Sequence, residues 1–116
     1  MNAVAIFVGG GLGSLLRYSV QLLMGSHGIW ATFLVNVVGC FLIGGFGAAS
    51  ARFSWNETTR LLLTTGLCGG FTTFSTFGKE TLSLLQSGNY AQAILYVTGS
   101  VVLGVAAAFC GFLALR

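Results

Sequence analysis

Seven charged side chains serve the whole of this 116-residue chain: Arg17, Arg52, Arg60, Lys79, Arg116, Glu57 and Glu80. Charged residues make up 6% of the sequence against 55% hydrophobic ones, whereas a water-soluble surface needs roughly 25–35% charged positions. Most of this surface must therefore face lipid. The five basic residues are scattered and form no stripe that could follow a phosphate backbone, which argues against nucleic-acid binding. Cys40, Cys68 and Cys110 stand singly in apolar stretches, with no C-x-x-C spacing and one histidine, His27, to share between them. They read as small buried packers.

Crossing about 30 Å of hydrocarbon at about 1.5 Å per residue takes about 20 apolar residues, and four runs meet that length. They are residues 2–24, 29–51, 58–85 and 91–115, in a single domain covering residues 1–116. The first lacks the basic flank of a signal peptide and is expected to stay as a span. It ends at the turn-like Gly25-Ser26-His27-Gly28. The expected fold is thus an all-α membrane protein with four transmembrane helices.

The third run is unlike the others. Its centre reads Gly66-Leu67-Cys68-Gly69-Gly70-Phe71-Thr72-Thr73-Phe74-Ser75-Thr76-Phe77. The glycine pair weakens a helix by about 1 kcal/mol per residue against alanine, and hydroxyl residues crowd the positions after it, so a break or unwound turn is expected there. Eighteen glycines and no proline mean that any break rests on glycine. Free backbone at membrane depth survives where it is buried in protein or lines a wet cavity, and broken helices offer such backbone to ions. Small residues four apart, at Gly9 and Gly13, Gly66 and Gly70, Ser100 and Gly104, and Gly104 and Ala108, permit close helix contact. Spacing alone leaves open whether these pairs pack one subunit or join two.

With four spans both termini share a face carrying Arg52, Arg60 and Arg116, against Arg17 and Lys79 opposite. A three-to-two count is almost no bias, and lysine and arginine asymmetry sets orientation. Such a chain can insert both ways, and two copies of opposite orientation would make an antiparallel dimer. Four short helices leave little room for a wet path in one subunit, so transport calls for an oligomer.

For catalysis the sequence lacks a nucleophile with its base, paired carboxylates or a metal set; Glu57 and Glu80 stand 23 positions apart. The chain reads as a non-enzyme. Its chemical signature is the run Phe71 to Phe77, an aromatic at every third position with hydroxyls between. Phenyl rings carry a positive edge, so edges aimed into a narrow path replace part of an anion's hydration without a full charge that would trap it. Hydroxyl donors alongside complete such a path, and conduction requires release as well as binding. Asn36 on the second span and Tyr96 with Thr98 on the fourth can join it, or can serve as ordinary helix-bridging groups. Glu80 is the one carboxylate able to reach a pore, and intramembrane ionisable groups are functional candidates.

The sequence resembles the CrcB/Fluc fluoride channels along its whole length: Gly9-Gly10-Gly11-Leu12-Gly13-Ser14-Leu15-Leu16-Arg17-Tyr18 looks like the first-helix signature, Asn36-Val37-Val38-Gly39 the second and Gly66 to Phe77 the third. The resemblance implies passive fluoride export across the plasma (inner) membrane through two pores of a dual-topology antiparallel homodimer, with a structural sodium ion on the twofold axis. By motif, Phe74 and Phe77 correspond to the ring-edge pair, Ser75 and Thr76 to the hydroxyl track, Asn36 to a second-helix donor, and Tyr96, sixteen residues after Glu80, to the pore tyrosine. Arg17 corresponds to a vestibule arginine, and Gly69 and Thr72 to the residues whose carbonyls hold sodium. Phe71 stands where the pattern usually has leucine, which leaves both lining and packing open for that ring. The competing class is a dual-topology, small multidrug-type proton-coupled exporter, which needs an acidic residue in its first helix. This first helix has none.

Overall fold

The computed structural model describes residues 1–25 and 28–116; Ser26 and His27, in the turn expected after the first span, lie outside the described residues. All the regular secondary structure of the described residues is helical. Helices α1 (Asn2–Met24), α2 (Gly28–Arg52) and α6 (Tyr90–Leu115) are each long and apolar enough to cross a membrane. The longest dimension of the molecule is 49 Å, against about 30 Å of hydrocarbon.

The segment between α2 and α6 is built in pieces. Helix α3 (Glu57–Leu61) starts at Asn56, whose side chain accepts the Thr59 amide, and runs into a π-helical stretch, Leu62–Cys68. One short helix, α4 (Gly69–Phe71), follows. Thr72 and Thr73 are extended, and α5 (Phe74–Gln86) resumes beyond them. The glycine pair expected to unwind the chain is therefore helical, and the interruption falls just after it. The reason is packing. A side chain at Gly70 would run into the Gly10 backbone, and one at Gly66 would crowd Gly9 and Gly10. The glycines are spent on bringing α1 close, which holds their own helix together, and the backbone opens where side chains can bond it.

Two tight helix pairs make the scaffold. In the first, α1 lies on the π-helical stretch and α4, with Gly9 facing Leu62 to Leu67 and Gly13 facing Leu67 to Phe71. In the second, α2 lies along α6, with Gly44 against the Ala108 backbone, Gly111 against Phe41 and Gly104 against Cys40. The question that spacing left open is answered for these glycines, which pack within one chain. Helix α5 leans on α6 through Leu84, Ala93 and Tyr96.

The interior is made of small residues and the surface of large apolar ones. Ala31, Val35, Ala49, Ala93 and Cys68 are buried, while Phe7, Leu23, Phe74 and Leu95 are more than two-thirds exposed. This is the arrangement expected where lipid solvates the outside and close backbone approach holds the helices.

Candidate functional site

The interruption after Phe71 frees backbone groups that the rest of the fold collects. Asn36, on α2, spans the gap: its Oδ1 accepts the Thr73 amide at 2.8 Å and its Nδ2 donates to the Thr73 carbonyl at 3.1 Å. Thr72 turns back on the helix it has left, its amide and hydroxyl both donating to the Cys68 carbonyl. Arg17, half-buried on α1, donates Nε to the Gly70 carbonyl at 3.1 Å. Helix α5 is capped by Thr73, whose hydroxyl accepts the Thr76 amide at 3.2 Å and lies 3.4 Å from the Ser75 hydroxyl. Neither the Gly69 nor the Thr72 carbonyl is among the acceptors of these bonds.

Around this knot lies an open cavity of about 390 Å³. Helix α2 gives it Asn36, Gly39, Cys40 and Ile43; the interrupted segment gives Thr64, Cys68, Gly69, Thr72, Thr73, Phe74 and Phe77; α6 gives Ser100 and Val101. Five of the residues singled out from the sequence therefore meet here: Asn36, Gly69, Thr72, Phe74 and Phe77. The phenyl rings of Phe74 and Phe77 are 5.8 Å apart between centroids and tilted by 47°, and Phe77 in turn meets the Tyr96 ring at 5.0 Å. The Tyr96 hydroxyl donates to Glu80 Oε1 at 2.9 Å. A file of groups thus runs from the cavity through three rings to a carboxylate.

The remaining sequence candidates sit around that file. Ser75 and Thr76 are in the first turn of α5 but do not line the cavity, and Arg17 is at its rear, behind Gly70. Phe71 is half-buried near Gly39 and outside the cavity lining of the single chain. Thr98 borders a separate groove with Thr81 and Leu85. Glu80 is drawn to Tyr96 instead of standing as a solvated partner of Lys79.

Three roles were not read from the sequence: Thr73, one hydroxyl of the run, is the cap; Ser100, named there as a small packing residue, has a buried hydroxyl with no hydrogen-bond partner at the cavity wall; and the buried hydroxyl of Thr32, outside the cavity lining, also has none. Ser100 lies one helical turn beyond Tyr96 and Thr32 one turn before Asn36, spacings that put each pair on one helix face. That periodicity was the available signal.

Membrane-length apolar helices, a small-residue interior and an aromatic cavity at a helix interruption define a small multi-pass helical membrane protein. The chain belongs to the CrcB family: residues 4–112 match the family described as CrcB-like protein, Camphor Resistance (CrcB). A Phocaeicola vulgatus protein named Fluoride-specific ion channel FluC is 50% identical over 114 residues, covering 95% of this chain and 94% of its own length. Proteins of the same name from Chloroflexus aurantiacus and Bacteroides fragilis are 46% and 44% identical over 115 residues, covering 95% and 93% of this chain and 91% of their own lengths.

Proposed function

We propose that this chain is a fluoride-selective channel of the plasma membrane, passing the ion down its gradient through two pores of an antiparallel homodimer. The relatives' shared name supports the substrate. The observation that carries the reading in this chain is the ring file Phe74, Phe77 and Tyr96, which opens on a cavity with hydroxyl and amide groups and no charged residue in its lining. The role is transport, not catalysis. A proton-coupled exporter is not supported, because α1 holds no carboxylate and these relatives are named as channels.

The chemistry follows from the groups. Fluoride holds its water tightly, so a path must replace that hydration with donors that release again. Positive ring edges of Phe74 and Phe77 serve one side. The Asn36 amide, which keeps a second N–H after bonding Thr73, gives the cavity a donor, and the hydroxyls of Ser75 and Thr76, in the same helix as the two rings, extend the supply beyond it. Tyr96, oriented by Glu80, closes the file. Arg17, behind Gly70, adds positive potential near the path and fixes the interrupted helix through the Gly70 carbonyl.

Phe74 supports the dimer. Its ring is 83% exposed in a single chain yet belongs to the cavity wall, so a second copy is needed to enclose the path. In the same reading the helix interruption lies at mid-membrane and faces its counterpart across a twofold axis. The carbonyls of Gly69 and Thr72 fit a structural sodium ion there: they are neutral hard oxygens, unclaimed by the bonds around the interruption, with no carboxylate in the cavity lining to favour a divalent ion. Bound sodium would supply positive charge that ties the two interruptions together.

The deciding experiment is reconstitution of the purified protein in liposomes with parallel fluoride and chloride efflux. Fluoride efflux with chloride retained is the expected result. Equal flux of both ions, or none of either from a folded protein, refutes the reading.

A further inference from the structure

Beside the cavity, and sharing Ile43 with it, the ends of α2 and α6 form a second concave surface. Ile43, Gly44, Gly47 and Ala48 of α2 and Phe112 of α6 line an apolar groove of about 550 Å³, and Arg52 and Arg116 stand at its end. Neither of the chain's two glutamates lines it. Its floor is low because Gly44 lets α2 lie directly on the Ala108 backbone, and the space above Gly47 is open. Arg52 donates Nη1 to the Arg116 main-chain oxygen at 3.2 Å and stacks 5.1 Å from the centre of the Phe53 ring.

Two helix C-termini converge at this point, and their negative ends would repel an anion. One Arg52 hydrogen already answers that field, and a guanidinium carries five. The pair is thus left with free donors of the kind that recognise phosphate, at the end of membrane-length helices, where a bilayer presents its headgroups. An apolar trough with a cationic end is complementary to one class of molecule. We propose that this groove binds an anionic glycerophospholipid, with its phosphate on Arg52 and Arg116 and one acyl chain along Ile43, Gly47 and Phe112.

The test is native mass spectrometry of the purified protein titrated with phosphatidylglycerol, phosphatidylcholine or glycerol 3-phosphate. Phosphatidylglycerol is expected to bind most tightly, and glycerol 3-phosphate, which lacks the acyl chain, least. Removing each arginine, in Arg52→Gln and Arg116→Gln, should weaken phosphatidylglycerol about fivefold, while binding of phosphatidylcholine stays constant and reports an intact fold. Gly47→Leu fills the trough with both arginines in place and should weaken phosphatidylglycerol as well. The proposal is overturned if phosphatidylglycerol and phosphatidylcholine bind equally, or if the double arginine variant binds phosphatidylglycerol as the parent does. It is also overturned if glycerol 3-phosphate binds as well as the lipid, which makes this a free-phosphate site, or if Gly47→Leu changes the oligomer mass, which puts a second copy in the groove.

Discussion

Asn36 is committed twice to one residue, holding both the amide and the carbonyl of Thr73. Asn36→Ala would leave both groups bare in a largely buried place, at about 1–3 kcal/mol for each, and should lower the thermal midpoint in detergent before any effect on conduction is considered. An unchanged midpoint would mean that water or lipid already serves these groups. Phe77 sits between Phe74 and Tyr96, so it is the ring whose edge the file can least do without. Phe77→Ile keeps an apolar side chain of similar bulk and removes the quadrupole. Fluoride efflux should fall about tenfold or more, the equivalent of about 1.4 kcal/mol on the barrier, with the protein still eluting as the parent does in size exclusion. Parent-like efflux in Phe77→Ile would remove the ring edge from the mechanism.

Elements in this chain are joined by backbone approach, and glycines in the same helix therefore differ sharply in what they tolerate. A side chain at Gly13 would strike the Leu67 carbonyl and the Phe71 amide, whereas Gly11, two residues earlier, has open space around it. Gly13→Ala should cost about 1–3 kcal/mol by overpacking and loosen α1 from the π-helical stretch. Gly11→Ala should be neutral or stabilising by up to about 1 kcal/mol, because alanine is the better helix former. Thermal midpoints of the two variants, compared with the parent, check both signs. If Gly13→Ala melts with the parent, α1 does not lie as close to Leu67 as the structure has it. At the start of α5, Thr73→Ala removes the hydroxyl that accepts the Thr76 amide and should cost about 1 kcal/mol.

At the scale of the molecule, the Arg52 to Arg116 hydrogen bond and the Thr58 to Asn2 hydrogen bond tie the C-terminal residue to the end of α2 and the start of α1 to α3. Arg52, Arg60 and Arg116 thus gather toward one end, with Arg17 and Lys79 too few to outweigh or yield to them clearly. Under the proposed dual topology, two lysines added between Arg52 and Arg60 should force one orientation. Activity should then vanish unless a copy with the opposite bias is co-expressed. Topology reporters that find parent chains in one orientation only would end the antiparallel dimer. Sodium held as structure makes a separate demand. A sodium gradient should not drive fluoride uphill at zero voltage, while prolonged sodium removal should weaken the channel. Fluoride accumulation driven by that gradient alone would make the ion a coupled substrate instead.

Solvent and family were legible from the sequence because both are written locally: seven charges cannot wet 116 residues, and the run from Gly66 to Phe77 carries its own chemistry. Helices over the uncharged runs follow from the same cause, since lipid leaves backbone groups no partner outside the helix. What the tertiary structure decided is where partners come from. Gly69 and Gly70 read as a break by propensity, yet both are helical, with Gly70 set against Gly10 of α1, and the backbone opens at Thr72 and Thr73, where Asn36, 37 residues from Thr73, takes up the freed groups. Glu80 found Tyr96 and Arg17 found Gly70 in the same way. Propensity acts along a few residues, whereas an unpaired buried polar group costs several times more than one glycine in a helix. The fold therefore opens where distant side chains can bond the backbone.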